Sequence, residues 1–398
     1  MAREHTDILI AGGGIAGLTA AAAFASQGRQ VTLVSPAPPV VAQREDGSDL
    51  RSTAFLQPAR DLFDMAGLWP HLAPKAIPLE GLRIVDTVDW PPRTRDSREF
   101  RSEDILDGPF GWNLLNVDTN AALMSALEGR DGITLRFGTG FADMLTRDRE
   151  SIVRLSDGTR LSAQLVVAMD GRNSAVRAAA GIDVDVIRYG QTALAFTVQH
   201  PLPHGNVSTE FYNEGGPFTM VPLPDVDGQP ASAIVWMNPS AKAQNLSSLS
   251  SEELSDIASQ RACNMFGPLR IISPIRHWPI AAQKARALTA PRTAILAEAA
   301  HVVPPIGAQG LNTSLNDLAA LLKAMEGATD PGAPAVLAAY NKARAADISR
   351  RVQAIDLFNR ITRSGLPSLQ HLRLSGLKAI HGIAPVRKAV MRAGMGGS

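Results

Sequence analysis

Residues Ile8 to Ala25 read ILIAGGGIAGLTAAAAFA. The run is apolar and close in length to a membrane-spanning helix. Three consecutive glycines argue against such a helix. The basic start of a secretory signal is also missing, because Arg3 is followed by Glu4 and Asp7. The run divides instead into a short buried strand over 6–11, a glycine turn and an Ala-rich helix over 18–27 that stops at Gly28. A second strand, VTLVS, follows at 31–35. The chain must therefore open as a compact βαβ unit.

Within that unit Gly12, Gly14 and Gly17 form G-x-G-x-x-G between strand and helix. The first glycine permits the tight turn, the second lets backbone approach a pyrophosphate, and the third lets the helix pack close to the strand. The helix N-terminus then faces the anion. In this context the pattern reads as dinucleotide binding; a glycine-rich packing turn is the bland alternative. The second strand ends in Ser35, where an acid usually binds the ribose. A serine hydroxyl makes a weaker contact.

Two further glycine-containing segments stand out. VVAMDGRNSAVRAAAG, from Val166 to Gly181, runs a buried strand into Asp170 and Gly171. It reads equally well as a ligand-facing turn, with Arg177 serving a phosphate or carboxylate, or as a plain strand–turn–helix junction capped by Asn173 or Ser174. AILAEAAHVVPPIGAQGLN, from Ala294 to Asn312, places Glu298 at a strand end, then a Pro-rich turn, then a helix over 311–325. Its carboxylate can accept hydrogen bonds from sugar-type hydroxyls. The helix start stabilises negative charge of the kind a reduced flavin carries on its pyrimidine edge. His301 reads as structural rather than as a base.

The remaining chain suggests two domains, given 398 residues. Helical patterns cover 59–65 and 117–127, and a strand covers 81–86. Residues 35–49 are loop-like and 90–104 read as charged and irregular. A hairpin turning at Asp157-Gly158 leads into a buried strand over 163–168. A β-rich stretch spans 191–200, 207–223 and 231–238, and a helix covers 251–266. From Ala333 the chain is helical and basic. Residues 341–398 carry 11 Lys+Arg against 2 Asp+Glu, hence +9, which leaves −8 on the rest. Such a tail suits nucleic acid, an anionic membrane or an acidic partner, or is simply a solvated helical face. The single cysteine, Cys263, excludes an internal disulfide and fits a reducing cytoplasm. Scattered histidines give no metal motif.

The motifs, in this order and spacing, resemble the group A FAD-dependent aromatic hydroxylases, and within them the branch acting on ubiquinone precursors. The resemblance covers nearly the whole chain. GGGIAG matches the FAD pyrophosphate loop, DLRSTAF (49–55) the segment that carries an FAD-contacting arginine, Arg51, and MDGRNSAVR the motif tied to FAD and NAD(P)H. EFYNEGGPFTMVPL (210–223) matches the segment beside the flavin ring. AEAAHVVPPIGAQGLN matches the second FAD motif, although the family's Gly-Asp is Ala297-Glu298 here. Arg344-x-x-Asp347 and LRLSGL (372–377) match the C-terminal pattern of the ubiquinone branch.

The resemblance implies an α/β fold: a Rossmann-like FAD-binding domain of the p-hydroxybenzoate-hydroxylase type, an inserted β-sheet substrate domain and a C-terminal helical region. The implied division is 1–80, 105–180 and 282–345 for FAD, 81–104 and 181–281 for substrate, and 346–398 for the basic helices. Implied cofactor contacts are Gly12, Gly14, Gly17, Ser35, Arg51, Asn116, Asp170, Gly171, Glu298, Gly307, Gln309, Gly310, Leu311 and Asn312. Pro217, Phe218, Met220 and Pro304 are the implied substrate-pocket residues. NAD(P)H would reduce FAD, O₂ would add at flavin C4a, and the hydroperoxide would hydroxylate an aromatic ring. No side chain is expected to act as a catalytic nucleophile, because the chemistry belongs to the cofactor. The substrate is expected to be a polyprenylated ubiquinone precursor. The alternatives are a small soluble phenol or aromatic acid, or a catalytically weak flavin-binding scaffold. A cytoplasmic enzyme with a greasy substrate would need access to the inner face of the membrane or to a biosynthetic complex, for which its basic C-terminal region offers a route; nucleic acid is not an expected partner.

Overall fold

The computed structural model describes residues 4–42, 49, 51–213 and 215–395. Residues 43–48 of the loop over 35–49 lie outside the described residues, as do Leu50 and Glu214 of the two family segments and 396–398 of the C-terminal region.

Five parallel strands form the heart of the first sheet, in the order Thr293–Ile295, Arg160–Ala168, Glu4–Ala11, Val31–Ser35 and Ile133–Phe137. A parallel sheet is covered on both faces, so its strands are continuous apolar runs. Ile8, Leu9 and Ile10 are accordingly fully buried. Helix Ile15–Ser26 lies close against its strand because a Cβ at Gly17 would fall 1.9 Å from the Gly12 carbonyl oxygen. The Asp157-Gly158 hairpin joins Ser151–Leu155 to Arg160–Ala168, with Gly158 at φ +87°.

A second, nine-stranded sheet is mostly antiparallel. Phe196, Phe211, Phe218 and Trp236 bury one face of it, in the same cluster as Leu254 and Ala258 of helix Ser251–Arg261. That helix has a complete capping box between Ser250 and Glu253. It ends at Arg261, short of the expected Phe266, because Cys263 and Asn264 take left-handed backbone, φ 51° and 52°. Residues 90–104, expected to be irregular, supply the edge strand Arg93–Arg101, paired antiparallel with Gly81–Val88. Its charges mask the strand pattern, and cross-strand pairing such as Arg83–Glu99 (2.6 Å) uses them. A small third sheet joins Ser52–Leu56, Gly111–Leu115 and Ile77–Leu79.

The C-terminal part is three helices, Pro334–Thr362, Pro367–Gly382 and Ala384–Met395. The first packs on helix Gln309–Ala324, and its Tyr340 hydroxyl donates to the Ile295 carbonyl at 2.9 Å. The other two turn back toward the second sheet, where Leu377 and Met391 cluster with Phe100. Among the described residues no helix is long and apolar enough to cross a membrane.

Candidate active site

One cavity of about 1440 Å³ begins beyond the C-terminal ends of the parallel strands. Four strand ends feed it: Ala11-Gly12, Ser35, Met169-Asp170 and Ala297-Glu298. This is where open α/β sheets bind ligands. The volume exceeds the roughly 300–1,000 Å³ of an ordinary small-molecule pocket. It has room for a large cofactor and a second molecule.

The residues fit FAD. Among the described residues, helix Ile15–Ser26 starts at Gly14 with no side-chain cap, and helix Gln309–Ala324 starts at Ala308 with none. Both N-termini line the same cavity. Uncapped amide groups there are the natural partners of a pyrophosphate and of an anionic ring edge. A Cβ at Gly14 would meet nothing within 4 Å among the described residues, so backbone is open to a ligand; at Gly12 it would fall 2.1 Å from the Met169 carbonyl oxygen. Asp170 accepts from the Val176 amide at 3.1 Å through Oδ2, while Oδ1 is buried with no hydrogen-bond partner among the described residues. A ligand hydroxyl would satisfy it.

Other sequence-predicted contacts have their own partners. Ser35 Oγ lines the cavity and donates to the Ala37 carbonyl at 2.9 Å, leaving it free to accept. Arg51 forms a two-pronged pair with Asp49 at 2.8 and 2.7 Å and lies 3.8 Å over the Trp278 ring. Burial pushes the Asp49 carboxyl up, but the Arg51 hydrogen bonds and charge, with Asn116, outweigh it and hold it low. Asn116 donates to Asp49 at 2.8 Å and accepts from Thr53 at 2.7 Å, so it positions the Asp49–Arg51 pair. Gly171, Glu298, Gly307, Gly310 and Leu311 are all on the wall.

Several expectations are corrected. Gly17 packs against Gly12 and is not on the wall. Asn312 is off it too: its side chain holds Ala54, Leu56 and Ala308 backbone. Gln309 is at the wall, but its side chain reaches Gly394 and Arg351. Phe218 and Met220 point into the opposite core, 0 % and 1 % exposed, and Thr219 and Val221 face the cavity instead. A strand alternates faces at every residue, so a one-residue slip in assignment inverts the set. Pro217 likewise is off the wall, and Pro305 replaces Pro304. Arg177 serves backbone rather than an anion: it donates to Ala299 and Arg172 carbonyls at 2.7 and 3.0 Å, tying two wall segments together.

Sequence reasoning missed Asp317. Fully buried on helix Gln309–Ala324, it accepts from the Ala297 amide (3.1 Å), His301 Nε2 (2.6 Å) and Arg344 Nε (2.8 Å). Arg344 continues to Asp347 at 2.6 Å. The expected structural role of His301 fits this network, and Asp317 fixes the shape of the second glycine segment. Helical spacing showed Asp317 only as one polar residue among many. Also missed were Glu210, Tyr212 and the pair Asp86–Arg373, which line the cavity, with Arg95 bound to Asp86 behind them.

The family model described as an FAD binding domain matches residues 5–354. Ubiquinone hydroxylase UbiL of Rhodospirillum rubrum is 31% identical over 400 residues, covering 99% of this chain and 90% of that protein. The chain belongs to the FAD-dependent monooxygenase family of the ubiquinone hydroxylases. FAD is its cofactor, and NAD(P)H is the reductant typical of the family. The 3-demethoxyubiquinol 3-hydroxylase of Escherichia coli is 26% identical over 402 residues, covering 100% of both chains. The fold is shared with p-nitrophenol 4-monooxygenase PnpA of Pseudomonas putida DLL-E4, at TM-score 0.78, 17% identity and 99% coverage of each chain.

Proposed function

We propose that this chain hydroxylates the phenolic ring of a polyprenylated ubiquinone precursor. The observation that carries the reading is the continuity of the cavity. The part lined by the glycine segments runs on into an apolar chamber walled by Leu82, Ile84, Phe100, Phe110, Leu377 and Ile380. A ring with a long hydrocarbon tail suits such a chamber.

When bound, FAD supplies the redox chemistry, taking electrons from NAD(P)H and activating O₂ for transfer of one oxygen atom to the ring. The chain supplies position and dryness. The two helix N-termini would stabilise negative charge, Arg51 and Glu298 would hold the cofactor, and the apolar wall would keep water from the reacting ring. We assign 1–80, 105–180 and 282–345 to the FAD-binding unit and 81–104 with 181–281 to the substrate unit.

An aromatic acid fits less well. Arg51 and Arg373 are the wall arginines among the described residues, and each already pairs with a carboxylate, Asp49 or Asp86. A tailed substrate also needs a way in from lipid. Ile383, at the junction of the last two helices, and Val386, on the last, are 52 % and 40 % exposed, with Lys378 and Arg392 also exposed on those helices. This combination supports peripheral contact with an anionic membrane surface.

The test uses protein purified with FAD. Its visible spectrum is recorded after desalting, then NAD(P)H oxidation and product mass are followed with a prenylated phenol in detergent and with soluble phenols. Gain of one oxygen by the prenylated phenol supports the reading. Turnover of soluble phenols alone would replace it. Retained FAD with no oxygen transfer to any ring would favour a scaffold.

A further inference from the structure

Glu210 occupies an unusual position for a carboxylate. On strand Val207–Tyr212 the residues alternate, and Ser208, Glu210 and Tyr212 face the chamber while Phe211 joins the opposite core. Glu210 is 7 % exposed and has no ion-pair partner among the described residues. Its Oε2 accepts from the Tyr212 hydroxyl, and Oε1 has no protein donor among the described residues. Burying a carboxyl beside an apolar chamber is unfavourable unless something there uses it. Tyr212 is itself fixed: its carbonyl accepts from Thr87 Oγ1 at 2.9 Å, and Phe358 meets its ring edge-on at 5.8 Å.

We propose that Glu210 takes the proton of the substrate's ring hydroxyl, with Tyr212 holding the carboxylate in place; this rests on the phenol-hydroxylase reading above. The ring O–H bond breaks, the proton joins Oε1, and the ring oxygen keeps the electron pair. Negative charge thus moves from the carboxylate to the ring, which becomes richer in electrons at the carbons that accept oxygen. No oxidant takes part in this step.

The electrostatics suit a base. Burial raises the Glu210 carboxyl above the ordinary range, which makes it a stronger proton acceptor, and the Tyr212 hydrogen bond moderates the rise. The charges nearby form a closed cluster. Asp86, opposite Tyr212 on the adjacent strand, pairs with Arg95 of the edge strand and Arg373 of helix Pro367–Gly382. Strand Phe218–Val226 offers Thr219 opposite Glu210, which is uncharged. Arg261 lies behind the strand and donates to the Phe211 carbonyl at 2.8 Å.

The experiment compares FAD-loaded wild type with E210Q, E210D and Y212F. Bound 4-nitrophenol reports ring ionisation by its visible absorbance as pH is varied, and product formed per NAD(P)H consumed is measured with the prenylated phenol. Wild type should ionise the bound phenol at lower pH than solution does. E210Q should lose that effect and form less product by roughly 10²-fold, the lower end for a lost general base. Its FAD content should be unchanged, and E210D should restore part of the ionisation. Wild-type ionisation and coupling in E210Q would overturn the proposal while leaving the phenol-hydroxylase reading intact. If E210Q does not retain FAD, Y212F decides. Loss of its hydrogen bond raises the Glu210 pKa, so the acid limb of the pH profile should move to higher pH; an unmoved limb would overturn the proposal. A wild type that neither ionises nor hydroxylates any phenol removes the parent reading and this one with it.

Discussion

Ala297 holds φ +56°, the left-handed region that costs a residue with a Cβ roughly 1–2 kcal/mol. The family motif has glycine at this position, so the sequence difference and the backbone strain coincide. Glycine relieves the strain but adds freedom to the unfolded chain, about 0.4–1 kcal/mol in the other direction. Ala297→Gly is therefore expected to stabilise the protein by up to about 1.6 kcal/mol, read as a higher Tm of the FAD-loaded form. Asp317 is the larger determinant. Replacing it with Asn leaves Arg344 and the Ala297 amide without their shared carboxylate, and breaking a buried pair costs roughly 3–5 kcal/mol. D317N should lower chemical stability on that scale and weaken FAD retention, measured by denaturant titration and by flavin absorbance after desalting. A denaturation midpoint equal to wild type would rule out this account of the network.

Among the elements, helix Pro367–Gly382 has the most to explain. It closes the chamber with Leu377 and Ile380, and Arg373 anchors it to the fully buried Asp86 at 2.5 Å. Arg373→Met keeps the stem and removes the charge. Asp86 retains Arg95, so the fold should survive, while the helix loses an anchor worth about 3 kcal/mol or less. Expected are faster protease cleavage near 363–366 and a raised KM for the aromatic substrate, with FAD content unchanged. Equal cleavage rates would show that apolar packing alone holds the helix. The same arrangement bears on membrane binding: removing everything after Arg363 would also remove a cavity wall, so surface substitutions are the cleaner probe.

For the molecule as a whole, I383D/V386D should reduce sedimentation with anionic vesicles while leaving bound FAD intact, and added salt should weaken the wild-type association. Retained binding in the double variant would place the contact elsewhere. Global stability should also depend on pH through His200 and His204. Burial lowers both histidines below the usual range, only partly offset by hydrogen bonds to the Leu202 and Leu223 carbonyls. The folded state thus keeps them neutral where the unfolded chain takes up protons near pH 6.5. Below that pH the unfolded state binds more protons, so stability is complete above about 6.5 and falls as pH drops. Tm should decline from pH 7 toward 5.5, and H200Q should flatten the decline.

The sequence by itself determined the nucleotide-binding half of the molecule. Gly12, Gly14, the Asp157-Gly158 turn and the Ser35 strand end act through local backbone geometry, and local geometry is legible in a short window. The family and its cofactor were legible for the same reason, since their motifs are contiguous. What only the tertiary structure decided depends on contacts between distant residues. Asp317 gains its meaning from Ala297, His301 and Arg344, and the Asp86 cluster from Arg95 and Arg373. The face of strand Phe218–Val226 was undecidable locally, because both alternations there carry large or apolar residues and only the pairing register chooses between them. The C-terminal helices read as a basic surface region; folded, they wall the chamber, because burial depends on what packs against a helix as well as on its own pattern.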